Sequence, residues 1–305
     1  MNNSELLEIS DLIVGYDAAT MQRRPVEKGV VIEKLRSVGD ISAARIVAAM
    51  PDQNGVLDSD YVDRLLVRVH CEMQRLSEEF QHGRRILQLL TSMLTALKDC
   101  GVPPPYRIVD IGCGTGYVIR WLAAHGKFGP EVHLLGVDFN RVLIDEAGRL
   151  AALERLGCRF EVANAFALEQ PATILLSTGV VHHFRDEGLM WFFRQHDRAV
   201  TRAFAHFDFQ PNLFARPGAW LFHYIRMREP LSRHDGVVSA RRAHPAETLL
   251  AAARQTSFAC GMYSRRVCYL PIPRVFHTLL GVRWELVEAF RNALGRRVHR
   301  LEALH

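Results

Sequence analysis

One stretch constrains this chain more than any other. The apolar run YRIVDI (106–111) leads straight into GCGTG (112–116) and then into a helix-patterned segment near 116–125. A short apolar run bounded by turn residues reads as a buried strand. Gly112, Gly114 and Gly116 let the backbone turn tightly and approach a ligand closely, because no side chain intervenes. The helix that follows presents unpaired N–H groups at its N-terminus, where an anionic group is stabilised. A strand, a tight glycine turn and a helix in that order commit the chain to βα units and a parallel sheet.

The residues downstream repeat the pattern. VHLLGV (132–137) reads as a second strand with a helix over 141–156, RFEVA (159–163) as a third and ATILLST (172–178) as a fourth. For the fifth, TRAFAHFDF (201–209) is preferred over AWLFHYI (219–225), because it leaves room for one crossover helix over 186–199, as in the earlier units. Residues 213–229 then become an inserted helix with Phe214, Leu221, Tyr224 and Ile225 on one face. Residues 1–100 are helical in texture: Val62, Leu65, Leu66, Val69, Met73 and Leu76, then Ile86, Leu89, Leu90, Met93, Leu94 and Leu97 recur at three and four, with Gly83 as the separator. The run Gly101 to Pro105 closes that region. The expected architecture is α/β, a Rossmann-like, doubly wound, mostly parallel seven-stranded sheet. It divides into a helical N-terminal cap or lid over 1–100, a ligand-binding domain over 101–271 with a lid helix inserted at about 212–230, and a C-terminal helical extension over 272–305.

Composition excludes several alternatives. A chain of 305 residues with 49% hydrophobic and 23% charged residues is globular rather than disordered or fibrous. The net charge of +5 is small for this length and its basic residues are dispersed, so nucleic acid is not the expected partner. The six cysteines form no CxxC pair and no zinc-ligand spacing, and no metal site is expected. The apolar runs are too short to span a bilayer, and MNNSELLEISD at the N-terminus is unlike a signal peptide, so a cytoplasmic location is expected. The oligomeric state stays open, a homodimer among the options.

Asp110 stands two places before the first glycine, and Asp138 ends the second strand, where a carboxylate accepts hydrogen bonds from both hydroxyls of a ribose. A dinucleotide fingerprint would require glycine at 117, which is Tyr117. The GxGxG spacing with its leading acid instead resembles motif I of class I S-adenosylmethionine (SAM)-dependent methyltransferases, over roughly residues 106–262. The resemblance implies SAM as cofactor and S-adenosylhomocysteine (SAH) as product. It implies that Asp110, Gly112, Gly114 and Gly116 hold the methionine part, that Asp138 holds the ribose, and that Phe139 lies beside the adenine. It places Asn164 and Ala165 at the adenine amino group and Ser177 at the cofactor. Asn164 departs from the aspartate common there, though an amide still bonds adenine. STGVVHHF (177–184) is similar to a stretch in small-molecule methyltransferases of the quinone-modifying, type 12 group, and RHDGVVSARRAH (233–244) to a segment after their lid helix.

Ligands of open α/β sheets bind beyond the carboxyl ends of the strands. That places the ends of strands four and five over the cofactor: Ser177, Thr178, His182 and His183, then His206, Asp208 and Gln210. A hydroxyl acceptor needs a base, and a neutral imidazole suits that task. His183 is favoured as the base, His182 is the alternative, and Asp208 is read as orienting a histidine or binding substrate. Pro103-Pro104-Pro105-Tyr106 resembles the PPY motif of amino-methylating nucleic-acid enzymes, but it precedes strand one instead of following strand four and reads as a linker. The expected function is methyl transfer from SAM to a small molecule of a biosynthetic pathway, to oxygen first and carbon second. An RNA or protein methyltransferase, or a SAM-binding module without chemistry, is the alternative.

Overall fold

The computed structural model describes residues 6–168, 171–198, 200–212, 215–264, 275–302 and 304, and only the backbone of Ala215 and Arg216. Phe214, expected on the inserted helix, lies outside the described residues. Helices α1 (Ile9–Leu12), α2 (Lys28–Ser37), α3 (Ile41–Ala48), α4 (Ser59–Glu79) and α5 (His82–Asp99) come first, with two short hairpin ladders among them. Strand β1 (Tyr106–Ile111), helix α6 (Tyr117–His125), β2 (Val132–Asp138), α7 (Arg141–Leu153), β3 (Arg159–Val162) and β4 (Ile174–Thr178) follow in the expected alternation. Then come α8 (Asp186–Arg194), β5 (Ala203–Phe209), α9 (Ala215–Arg226), α10 (Pro230–Arg242), α11 (Ala246–Ala253), β6 (Phe258–Tyr263), β7 (Phe276–Arg283), α12 (Val287–Leu294) and the two-residue β8 (Leu301–Glu302). Strand five is therefore the 201–209 run, and AWLFHYI is helical. No helix among the described residues is long and apolar enough to cross a membrane.

The sheet has the order β8-β6-β7-β5-β4-β1-β2-β3. Strands β3, β2, β1, β4 and β5 pair in parallel, while β7 pairs antiparallel with both β5 and β6. The α/β, mostly parallel sheet is thus as expected, with an eighth, two-residue strand at one edge. The chain order reverses between β1 and β4. The loops leaving those two strands diverge there and open the crevice in which ligands of such sheets bind.

Residues 272–305 are not a purely helical extension. FHTLLGVR is strand β7, buried along nearly its whole length between β5 and β6, and only α12 is α-helical in this stretch. A strand buried on both faces shows a continuous apolar run, which periodicity alone does not separate from a buried helix.

The chain divides into two compact units, one of Met1–Leu76 with Leu213–Arg242, the other of Ser77–Asn212 with Ala243–His305. The boundary expected at residue 100 therefore falls at Leu76. Helix α5 belongs to the sheet unit, where Ile86, Leu89, Leu90 and Leu97 share a core with Ile108, Leu176 and Phe290. The insertion expected at about 212–230 extends through α10 to Arg242. Periodicity reveals that a helix buries a face, not what it buries it against.

In the first unit α10 gathers the N-terminal segment. Asp235 accepts the N–H groups of Ile9 (2.9 Å) and Ser10 (2.8 Å), and Glu72 accepts that of Arg228 (2.7 Å). His234 lies between Asp235 (2.7 Å) and Asp40 (2.8 Å). Burial pulls its pKa down, but the two carboxylates outweigh burial and raise it.

The helix break falls at Phe80-Gln81, where Gln81 takes φ +54°, rather than at Gly83. Gly83 lies inside the first turn of α5, where a Cβ would come within 2.3 Å of the Trp121 ring. Intrinsic propensity favours alanine over glycine in a helix by about 1 kcal/mol. Overpacking costs about 1–3 kcal/mol and wins here. Gly83→Ala is expected to lower the urea midpoint without changing the m-value. A raised midpoint would show that Trp121 moves aside freely.

Candidate active site

The glycine turn after β1 is shaped by close approach. Gly112 (φ +66°) and Gly116 (φ +74°) occupy the left-handed region. A Cβ on Gly112 would meet Val180 at 2.7 Å, and one on Gly116 would meet the Phe160 ring at 2.4 Å. Asp138 at the end of β2 fastens this turn. Its Oδ2 accepts the Gly114 N–H (3.0 Å) and its Oδ1 the Asn140 N–H (2.9 Å). Asn140 in turn caps α7 by accepting the Val142 N–H at 3.0 Å. After β3, Ala163 N–H bonds the Asp138 carbonyl (3.0 Å), and the Asn164 side chain accepts the Phe166 N–H at 2.9 Å. Ala165 is half-buried beside it, and Phe139 is exposed. The strand ends thus bring Asp110, Gly112, Gly114, Gly116, Asp138, Phe139, Asn164 and Ala165 to one edge of the sheet.

Asp110 is the unusual member. It is buried, and its Oδ1 has no hydrogen-bond partner among the described residues. Burial first, and the charge of Asp138 second, push its carboxyl up to about 7. Burial likewise raises Asp138, against the backbone N–H groups that bond it and the charge of His183. Two buried carboxyls beside backbone stripped of side chains fit a ligand that brings a cation to one acid and a diol to the other.

Beyond β4, Val181–His183 forms a single tight turn. His182 is held twice by Asp208: its backbone N–H donates to Oδ2 (2.9 Å), and its ring Nδ1 lies 2.8 Å from Oδ1. Asp208 also accepts the Phe209 N–H at 2.7 Å. Burial alone would raise the Asp208 carboxyl, but His182 and these N–H groups bring it down to about 2. Asp208 is therefore ionised and accepts a hydrogen bond from Nδ1–H of His182. The histidine joined to the carboxylate is thus His182, the alternative to the His183 that the sequence favoured as base. His183 stacks beside it with ring centroids 4.4 Å apart. The two rings lie side by side, and only the tertiary fold decides which one meets Asp208 of β5.

Ser177 and His206 do not join this edge as expected. Ser177 is fully buried, with Oγ 2.7 Å from His206 Nδ1. His206 Nε2 lies 2.8 Å from His196 Nε2, and His196 Nδ1 lies 2.8 Å from the Phe192 carbonyl. That carbonyl fixes the tautomers in turn. His196 donates from Nδ1 and accepts at Nε2, His206 donates from Nε2, and Ser177 donates its hydroxyl to His206 Nδ1. Burial drives His196 down to about 3 and His206 well below its ordinary value, so both rings are neutral. The Ser177 hydroxyl is thus spent on an interior hydrogen-bond chain.

Thr178, placed by the sequence at the ligand-facing end of strand four, carries a buried Oγ1 with no partner among the described residues. Sequence reasoning missed two residues. Asn140 caps α7 and bonds Asp138 through its N–H, and the one signal for it is a capping residue directly after a strand. His244 Nε2 bonds the Phe184 carbonyl at 2.8 Å and steadies the turn that carries His182, and no local pattern announces it.

Residues 108–202 match the family described as a methyltransferase domain. The strand order, the glycine turn and its two acids identify this part of the chain as a class I SAM-dependent methyltransferase domain. Among curated proteins, the chain is similar to trans-aconitate 2-methyltransferase of Pseudomonas aeruginosa. The two are 38% identical over 115 residues, covering 37% of this chain and 38% of that protein. The matched segment thus spans less than half the length of that relative. Among solved structures, magnesium protoporphyrin IX methyltransferase from Synechocystis PCC 6803 is 17% identical, with a TM-score of 0.45 over 84% of this chain and 99% of that one. The plantazolicin methyltransferase BpumL is 13% identical, with a TM-score of 0.46 over 73% of this chain and 95% of that one.

The Asp110 carboxyl gives a pH test. Its folded pKa of about 7 lies above its ordinary 3.8. The protonated group therefore favours the fold fully below about pH 4, and that contribution is lost as pH rises through about 7. Without ligand, the wild type is expected to lose about 4 kcal/mol relative to Asp110→Asn between pH 4 and 8, at about 1.4 kcal/mol per unit. Urea titrations across that range measure the difference. A pH-independent gap between the two proteins would show Asp110 ionised in the native state.

Proposed function

We propose that this protein transfers a methyl group from SAM to a hydroxyl of a small molecule, with His182 as the general base. The observation that carries the reading is the His182–Asp208 pair at the carboxyl edge of the sheet, one strand from the glycine turn. When bound, SAM supplies a sulfonium methyl, an electrophile that needs no further activation. The unpartnered Asp110 Oδ1 suits the α-ammonium group, and Asp138, whose oxygens each retain accepting capacity, suits the ribose hydroxyls. Phe139 offers an exposed ring to the adenine, with the Asn164 amide and the Ala165 backbone beside it.

On the acceptor side the chemistry belongs to the chain itself. His182 Nε2 accepts the hydroxyl proton as the oxygen attacks. Asp208 holds the ring by its Nδ1–H and stabilises the imidazolium that forms. A carboxylate acceptor, the group trans-aconitate would present, is ionised at neutral pH and needs no base. The buried His–Asp pair supports a hydroxyl instead. An acidic carbon acceptor would also give up a proton and ranks second.

Isothermal titration is expected to show micromolar SAH binding, and Asp138→Ala should weaken it by about ten- to a hundredfold, the worth of a charged hydrogen bond. Tighter binding of NAD than of SAM would sink the assignment. His182→Ala should lower kcat by about 10²–10⁴-fold with SAH affinity unchanged. His183→Ala should stay within a few-fold, and Asp208→Asn should follow His182→Ala. If all three leave kcat intact, the acceptor requires no deprotonation.

A further inference from the structure

His234 of α10 meets a carboxylate on each of its ring nitrogens. Nδ1 lies 2.7 Å from Asp235 Oδ1, and Nε2 lies 2.8 Å from Asp40 Oδ2. A neutral imidazole has one N–H and one lone pair, so it donates to only one of two acceptors. Two carboxylates at these distances call for the imidazolium, with a proton on each nitrogen. The geometry therefore records a charge as well as a position.

The three residues join three helices. Asp40 is the N-cap of α3, its Oδ1 accepting the Ala43 N–H at 2.9 Å, and α3 packs on α2. Asp235 holds the start of α1 through the Ile9 and Ser10 N–H groups. His234 thus carries α3 on one nitrogen and, through Asp235, α1 on the other. Burial works against ionisation of Asp40, but the Ala43 N–H, His234 and Arg241, two turns further along α10, bring its carboxyl below the ordinary value. On the α1 side, Glu8 and Asp11 pair with Arg242 at 3.3 and 2.8 Å. From α9, His223 comes against the backbone of Gly236, and burial lowers its pKa. Arg242 is thus engaged by α1, and His223 brings no charge at neutral pH.

The two carboxylates are not equivalent. The Asp235 side chain is 9% exposed and that of Asp40 is 31% exposed. An unpartnered charge costs more the drier its surroundings. A neutral ring therefore keeps its N–H on Asp235, and its bare Nε2 faces the Asp40 oxygen with no proton between them. Asp40 can turn that oxygen to water and keep the other on Ala43.

We propose that His234 is a proton-gated joint between α10 and α3. Protonated, it ties both carboxylates. Deprotonated, it stays with Asp235 and α1 and lets go of Asp40, so that α3 loosens from α10. Burial lowers the His234 pKa, but Asp235 and Asp40 together raise it above the ordinary 6.5. The stabilisation is complete below pH 6.5 and is lost as pH rises through the folded pKa. Within that window the opening constant grows by up to about tenfold per pH unit.

The test follows the His234 ring of the full chain by NMR between about pH 5 and 9, alongside hydrogen exchange of the backbone amides read as protection factors. The ring is expected to titrate above 6.5, with a proton on both nitrogens below the transition. Protection of the α3 amides should fall as the ring deprotonates, while Ile9 and Ser10 keep theirs. Asp40→Asn, which retains a capping oxygen, should lower the His234 pKa and flatten the α3 response. His234→Gln should leave α3 protection independent of pH across the range. A His234 pKa at or below 6.5, or wild-type α3 protection that ignores the titration, would overturn the joint. Loss of protection at Ile9 and Ser10 in place of α3 would overturn the release of Asp40 and put the break at Asp235. The wild-type titration decides the matter even where a variant fails to fold.

Discussion

The carboxylate of Asp138 is the interaction on which the site depends. It ends β2, accepts an N–H from the glycine turn after β1 and another from the residue that caps α7. One side chain therefore sets the geometry of two βα turns across the crevice. The glycines are necessary to it. With φ positive at Gly112, Gly114 and Gly116, the turn curls close enough for the Gly114 amide to reach a neighbouring strand end. The cost is electrostatic, because Asp110 is brought beside Asp138 in a buried place and its carboxyl rises to about 7. Among the described residues nothing bonds Asp110 Oδ1, so burial and the neighbouring charge together favour its protonated form.

The acceptor edge follows the same physics with the opposite outcome. Strand β5 is buried from end to end, yet it carries His206 and Asp208. Both are fully employed. His206 joins a neutral chain from Ser177 to the Phe192 carbonyl, and Asp208 takes three N–H groups, two of them from His182. Buried polar groups with partners hold geometry; those without partners point to what is missing. At this edge the partnered set ties the turn that carries His182 to β5.

The helical unit is organised by charge in a comparable way. Asp235 caps the first residues of α1, and His234 bridges it to Asp40, so α10, far along the chain, gathers the N-terminal segment. Composition gave no hint of this, because each residue is an ordinary polar side chain until the helices bring them together.

The sequence by itself determined strands β1 to β5 and the glycine turn with its two acids. YRIVDI, the glycine turn, Asp138 and the later apolar runs are local patterns whose meaning is fixed by backbone sterics and strand length, and the elements from β1 to β5 stand close to where those patterns put them. The tertiary structure alone decided the rest. It turned 276–283 into a central strand, gave α5 to the sheet and α9 and α10 to the N-terminal helices, joined His182 to Asp208, and bonded Ser177 to His206 in the interior. Those outcomes depend on which buried face meets which, and on one hydrogen-bond partner more than twenty residues away. Periodicity records that a side chain is buried; only packing in three dimensions decides against what.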